Sequence, residues 1–361
     1  MENVLERMER LDTKRKMADF MVKEKQSYEF KVEYAELRAR EFVRECDKRG
    51  LNYHVSVGGL DSITLFLFLK HIGIDAPGIS VSSLEDRSIQ RIHKQLGIER
   101  LQSSIRNVDD DGRVHRWTKQ LVLQTFGFPV LSKETAAKIE TLANPTDKNK
   151  TVRHAIVTGE TGAYGGFQKN SRMKMPQKWL ELFGGYANLD EGTEYKTPNF
   201  KVSAKCCYYL KEKPCDDWAK EHHSAPFLGL MASEGGRRAK SLRMHGCNYF
   251  GQSVIRSAPF AIFGRSDLLQ LALDLNVPVP EIYGTIERRD DGTLYTTKAQ
   301  RTGCNMCGFG IHIEDRPHRF DVLKERNPQE WEYWMFRCCT DEETGELYGW
   351  ARVLDYIGIG Y

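Results

Sequence analysis

Asn52-Tyr53-His54-Val55-Ser56-Val57, then Gly58-Gly59-Leu60-Asp61-Ser62, then Ile63 to His71 (ITLFLFLKH) decide the fold. A short β-rich run, a glycine break and an almost wholly apolar stretch predict a strand, a loop and a helix packed against a sheet. Downstream, Ile79-Ser80-Val81-Ser82 reads as the next strand, and Ser88 to Leu96 as a helix stopped by Gly97. This βαβα order opens a doubly wound α/β domain with a mainly parallel sheet, in which ligands bind at the C-terminal ends of the strands. Gly58 and Gly59 let backbone approach an anion, the helix N-terminus supplies N–H groups, and Asp61 or Ser62 can cap it. The loop lacks the lysine of GxxxxGK[ST], and a plain tight turn is the alternative reading.

Farther out, residues 1–50 carry dense alternating charge and predict a helical N-terminal arm. It reads as a solvated capping helix, with contacts in a homo-oligomer as the alternative. Residues 107–150 form a polar excursion. Ala155-Ile156-Val157-Thr158-Gly159 and Phe227-Leu228-Gly229-Leu230-Met231-Ala232 read as further strands, and Ser266 to Leu275 as an amphipathic helix. The expected organisation is an arm over 1–50, one α/β domain over 51–320 and a C-terminal extension over 321–361.

Lys plus Arg number 53 against 50 for Asp plus Glu, a net charge of +3, too balanced to argue for broad nucleic-acid binding. No apolar run approaches the roughly 20 residues of a membrane span, and the charged N-terminus is unlike a signal peptide. Nine cysteines without such a signal suit a reducing, cytoplasmic setting with thiols serving metals or redox chemistry.

Cys206 and Cys207 are adjacent, and Cys304 and Cys307 form a CxxC. A CxxC turn puts two sulfurs on one side, whereas adjacent side chains diverge. One ion is awkward for the diverging pair, but a cubane offers each sulfur its own iron. The four thiols therefore favour a [4Fe-4S] cluster over tetrahedral zinc. Small core residues are the alternative for Cys206 and Cys207. Cys247 is a reserve ligand, Cys215 a further thiol nearby in sequence, and Cys46 reads as a buried helix residue. His312, after the CxxC, could donate to cluster or substrate, though such a histidine is more often structural. Gly229-Leu230-Met231-Ala232-Ser233-Glu234-Gly235-Gly236-Arg237-Arg238 is a strand end running into a doubly basic turn whose Arg237 and Arg238 suit phosphate or sulfate oxygens.

Val57 to Ser62 resembles the SGGxDS pyrophosphate loop of the adenine nucleotide α-hydrolase superfamily, with Val57 for its first serine and Leu60 where lysine is common. Lys205-Cys206-Cys207-Tyr208-Tyr209-Leu210-Lys211, the GLMASEGGRR stretch, Gly246-Cys247-Asn248, Asp267-Leu268-Leu269, Glu281-Ile282-Tyr283-Gly284 and Arg301 to Gly308 together resemble the phosphoadenylyl-sulfate reductase family. The likeness spans about residues 50–320. With Arg352 to Ile359, it is most similar to the reductase-like proteins of phages and mobile elements.

The resemblance implies an adenine nucleotide α-hydrolase-like fold with a [4Fe-4S]-bearing C-terminal part. It implies an adenine nucleotide, phosphoadenylyl sulfate, adenylyl sulfate or ATP, held by Gly58, Gly59, Asp61 and Ser62 at the phosphates and by Arg237 and Arg238 at the sulfate or phosphate. Cys206, Cys207, Cys304 and Cys307 would hold the cluster. The reductases attack sulfur with a cysteine in a Glu-Cys-Gly-x-His tail and use thioredoxin to release sulfite. This sequence reads IGIGY at that place, which leaves Cys338 and Cys339, next to Arg337, as substitute nucleophiles. The rival readings are an ATP-dependent sulfur-transfer enzyme, under which a nucleic acid becomes an acceptor, and a non-catalytic nucleotide sensor.

Overall fold

The computed structural model describes residues 4–161, 172–187 and 194–361, with side chains from residue 11 onward and without those of Ser82 and Arg237. The chain divides into two compact units, each built from two separated segments: Met1–Gln102 with Pro214–Gly303, and Ser103–Lys213 with Cys304–Tyr361. These cuts lie away from residues 50 and 320. Pattern in a linear sequence marks where local composition changes, whereas a unit is defined by segments that return to each other.

The first unit is a mixed α/β structure around a six-stranded sheet. Its order is Glu99–Arg100, Gly78–Ser80, Asn52–Ser56, Ser224–Leu228, Ile255–Ser257, Asn248–Phe250. All neighbours run parallel except the edge strand Asn248–Phe250, which is antiparallel. The chain moves outward from Asn52–Ser56 to one edge, then returns to lay Ser224–Leu228 on its other side, in register from Asn52↔Ser224 to Ser56↔Leu228. The winding therefore reverses between these two strands, which makes their C-terminal ends the topological switch point.

Helix Leu60–His71 follows the first strand with Leu60, Ile63, Leu65, Phe66, Phe68 and Leu69 all buried, as its apolar composition predicts. Arg87–Gln95 and Arg265–Asp274 are helices within a residue of their expected bounds. The N-terminal arm is two helices, Val4–Glu24 and Tyr28–Arg49. The second is not a solvated cap. Ala35, Ala39, Phe42 and Cys46 recur at helical spacing and are fully buried, and Phe42 meets Phe227 of the sheet edge-on at 4.8 Å.

The second unit is mainly helical, with a core that includes Phe128, Phe183, Phe320 and Trp350. The strand expected at 155–159 is instead the end of helix Lys150–Thr158, closed by Gly159 in the left-handed conformation at φ 83°. Ala155, Ile156 and Val157 are buried in this helix, so tertiary burial overrides the β preference of a short branched run. No helix among the described residues is long and apolar enough to cross a membrane.

Candidate functional site

At the switch point of the first unit lies a cavity of about 260 Å³. Its walls include Ser56, Gly58, Gly59, Asp61 and Ser62 after the first strand, and Leu228 and Gly229 after the returning one. Gly59 is the N-cap of helix Leu60–His71 and supplies no side-chain cap, so the positive end of the helix opens here. The loop holds itself. The Gly58 N–H donates to Ser62 Oγ (2.7 Å), the Ser62 hydroxyl donates to the Gly59 carbonyl (3.0 Å), and His93 Nε2 donates to the Gly58 carbonyl (2.8 Å).

The Leu60 N–H donates to the Tyr283 hydroxyl at 3.0 Å, and that hydroxyl shares a hydrogen bond with Thr302 Oγ1 at 2.7 Å. Burial pushes the Tyr283 phenol up to about 12, so it remains protonated. A side chain on Gly59 would collide with the Tyr283 hydroxyl. One on Gly229 would lie 3.0 Å from the Ser62 backbone. Both glycines are thus needed for close approach, a stronger reason than loop flexibility. The sequence reading quoted Tyr283 only as part of a motif, and nothing in its local pattern announces that its hydroxyl reaches the loop.

Two carboxylates and two arginines line the same cavity: Asp61, Glu234, Arg238 and Arg301. Asp61 is ion-paired with Arg265, and Glu234 with Arg238. Burial pushes the Asp61 carboxyl above the usual range while Arg265 pulls it back. Arg238 lines the cavity, and the side chain of Arg237 lies outside the described residues. Arg265 is new. It opens helix Arg265–Asp274, one residue ahead of the expected start, and only the fold brings it to Asp61 across 204 positions.

The four expected ligand cysteines all belong to the second unit. Lys205–Cys207 begins a helical turn whose first N–H, on Lys205, donates to Ser203 Oγ at 2.9 Å. The CxxC closes a tight turn in which the Cys307 N–H donates to the Cys304 carbonyl at 3.1 Å, with buried Met306 at φ 54°. Burial pushes the Cys206 thiol up to about 12, Cys304, Cys307 and Cys207 add to the rise, and Lys119 opposes it. Burial also raises Cys207, with Lys133 opposing and Cys307 contributing. The four thiols are thus within electrostatic reach of one another. Arg319 completes a cationic surround, donating to the Cys307 carbonyl at 3.3 Å and interacting with Cys304 and Cys307.

Among the described residues no three or more His, Cys, Asp or Glu side chains form a group ready for a single metal ion. The donor chemistry nonetheless fits an iron–sulfur cluster: two adjacent half-buried thiols and a CxxC within electrostatic reach of them, beside three cations that would offset the charge of four thiolates.

Cys338 and Cys339, the expected nucleophiles, are core residues, each 1% exposed. The Cys338 thiol donates to the Trp334 carbonyl at 3.3 Å, and the two sulfurs are 3.9 Å apart. Their mutual hydrogen bond, with burial, pushes Cys339 far up, and Arg337 is paired with Glu332 instead. A reactive thiolate needs partial exposure and nearby positive charge, and this pair has neither. Cys247, the reserve ligand, belongs to the first unit and is buried beside Tyr34 and Arg38. Cys215 packs near Ile79, Val81 and Leu101, and Cys46 is buried in its helix as expected. His312 is edge-on to Trp179 at 5.5 Å, and burial lowers its pKa.

No known family model matches the chain, and no curated protein matches its sequence.

Proposed function

We propose that the cavity of the first unit binds an adenine nucleotide by its phosphate end, in an enzyme of the sulfonucleotide-reductase type whose second unit carries a [4Fe-4S] cluster on Cys206, Cys207, Cys304 and Cys307. The observation that carries this reading is the coincidence of an open helix N-terminus, an arginine-rich wall and the topological switch point in one cavity. Gly58 and Gly59 give the ligand close access to backbone. Ser62 shapes the loop through its two hydrogen bonds. Arg238 and Arg301 meet the phosphate or sulfate. When bound, the cluster with its four thiolates would supply a net negative charge that orients basic groups such as Lys119, Lys133 and Arg319. Thioredoxin would serve as reductant, in a cytoplasmic setting.

The burial of Cys338 and Cys339 favours a second reading in which the chain's own thiols do not attack: ATP-dependent sulfur transfer, or nucleotide sensing without turnover. One experiment separates them. Anaerobically purified protein is assayed for iron, then titrated with adenylyl sulfate, phosphoadenylyl sulfate and ATP. Brown protein with about four irons per chain is expected for a single cubane. Arg238→Ala should weaken nucleotide binding by about tenfold or more, the loss of a charge-assisted contact. Sulfite release with thioredoxin identifies the reductase. AMP and pyrophosphate formed from ATP with an acceptor identify sulfur transfer, and tight binding without either identifies a sensor. Stoichiometric zinc without iron, or unchanged affinity in Arg238→Ala, would overturn the assignment of the metal or of the pocket.

A further inference from the structure

The arm is apolar on two sides. Its second helix buries Ala35, Ala39 and Phe42 against the sheet, yet large apolar residues on both arm helices also face water. Leu11, Met21 and Val22 are 54%, 45% and 59% exposed, and Phe30 and Leu37 are 38% and 47% exposed. On helix Val4–Glu24, Leu11, Ala18 and Val22 fall at i, i+7 and i+11, which is one stripe along one face. Exposed Lys14, Arg15 and Lys25 stand three or four positions from members of that stripe, so cations flank it. From Leu11 to Lys25 the chain holds five basic residues against three acidic ones. Two of those three, Asp12 and Glu24, are paired with Lys16 and Arg243.

The same unit carries a groove of the opposite charge. A cavity of about 610 Å³ is walled by helices Tyr28–Arg49, Leu60–His71 and Arg265–Asp274. Val32, Phe68, Ile72, Leu271 and Leu275 give it apolar walls, and Glu29, Glu33, Glu36 and Asp274 bring four carboxylates. Arg40 is ion-paired with Glu36, so even with His71 charged the groove keeps a net negative charge. Asp274 accepts hydrogen bonds from the Tyr28 hydroxyl and the Gln270 amide, neutral donors that leave its charge in place. On helix Tyr28–Arg49 the groove residues share one side, and Tyr34, which lies under Lys23 of the first arm helix, is on the other. The stripe is exposed and the groove is open, so neither fills the other within one chain.

We propose that the arm is a self-association surface: the Leu11, Ala18 and Val22 stripe of one copy lies in the acidic groove of a second copy, and the second copy returns the contact. Both surfaces belong to one chain, so a two-fold axis gives each its complement and closes the assembly at a dimer. Burial of the exposed apolar residues drives association. Lys14, Arg15 and Lys25 against Glu29, Glu33 and Asp274 set its orientation. The groove shares no lining residue with the cavity at the switch point, so the proposal stands apart from the nucleotide reading.

Sedimentation velocity of the full chain over a wide range of concentration tests this. The wild-type chain should be a concentration-dependent dimer. Glu29→Lys/Glu33→Lys and Lys14→Glu/Arg15→Glu should each weaken dimerisation by about tenfold or more, because like charges then face each other. An equimolar mixture of these two variants should regain dimers of near wild-type strength, since each basic surface again meets an acidic one. Val22→Ser should weaken the dimer by about tenfold through lost apolar contact. These side chains are exposed in the single chain, and circular dichroism confirms that each variant is folded. A monomer at every concentration would overturn the proposal and leave the groove to a basic helix of another protein. A dimer indifferent to these substitutions, or a variant mixture that stays monomeric, would overturn it as well.

Discussion

The cysteines of this chain have different fates that their identity alone does not distinguish. Cys206, Cys207, Cys304 and Cys307 are partly exposed, burial and neighbouring thiols raise Cys206 and Cys207, and Lys119, Lys133 and Arg319 lie around the set. Cys338 and Cys339 are as sulfur-rich a motif as Cys206-Cys207, yet they are packed into the core. The two pairs should respond oppositely to replacement. Cys307→Ser should lower the iron content of anaerobic protein to background. Cys338→Ala/Cys339→Ala should leave iron unchanged and cost about 1–3 kcal/mol of stability, the usual range for lost core packing. Iron analysis with chemical denaturation checks both, and iron lost in the Cys338/Cys339 variant would place that pair in the metal site.

Among the elements, the central strand Asn52–Ser56 does two jobs. Its C-terminal end opens into the loop, and its interior carries His54, which is 1% exposed and hydrogen-bonded through Nδ1 to Ser224 Oγ at 2.7 Å. Burial, helped by the charge of His222, lowers the His54 pKa from its ordinary 6.5 to about 4. The folded state therefore refuses a proton that the unfolded chain accepts. The associated stability is fully present above 6.5 and is lost as pH falls from there towards 4, roughly 3 kcal/mol in all. His54→Asn should remove about one proton from the pH dependence of unfolding over that window. Urea midpoints measured at intervals from pH 4 to 7 in both proteins check it, and an unchanged slope would mean that His54 titrates normally.

For the whole molecule, the cavity at the switch point belongs entirely to one unit and the four cysteines entirely to the other. Metal binding stabilises the structure that holds the ligands. Iron chelation should therefore raise amide exchange first in Ser103–Lys213 and Cys304–Tyr361 while the Asn52–Ser56 strand keeps its protection. Exchange mass spectrometry before and after chelation reads this directly. Equal loss in both units would show that they unfold as one.

Local pattern alone determined that this chain begins an α/β sheet at Asn52, turns at Gly58-Gly59 and continues in a buried helix. Those features depend on short-range alternation, glycine and apolar content, and the structure has them within a few residues. Gly58, Gly59, Asp61, Ser62 and Arg238 were legible as cavity residues for the same reason. Only the tertiary structure decided the rest. Burial turned 155–159 from strand to helix, packed the arm helix Tyr28–Arg49 onto the sheet and closed Cys338 and Cys339 away from solvent. Long-range return of the chain brought Arg265 to Asp61 and Tyr283 to Leu60, across 204 and 223 positions. A residue's role at a site depends on which distant groups desolvate it and pair with it, and linear spacing does not encode that.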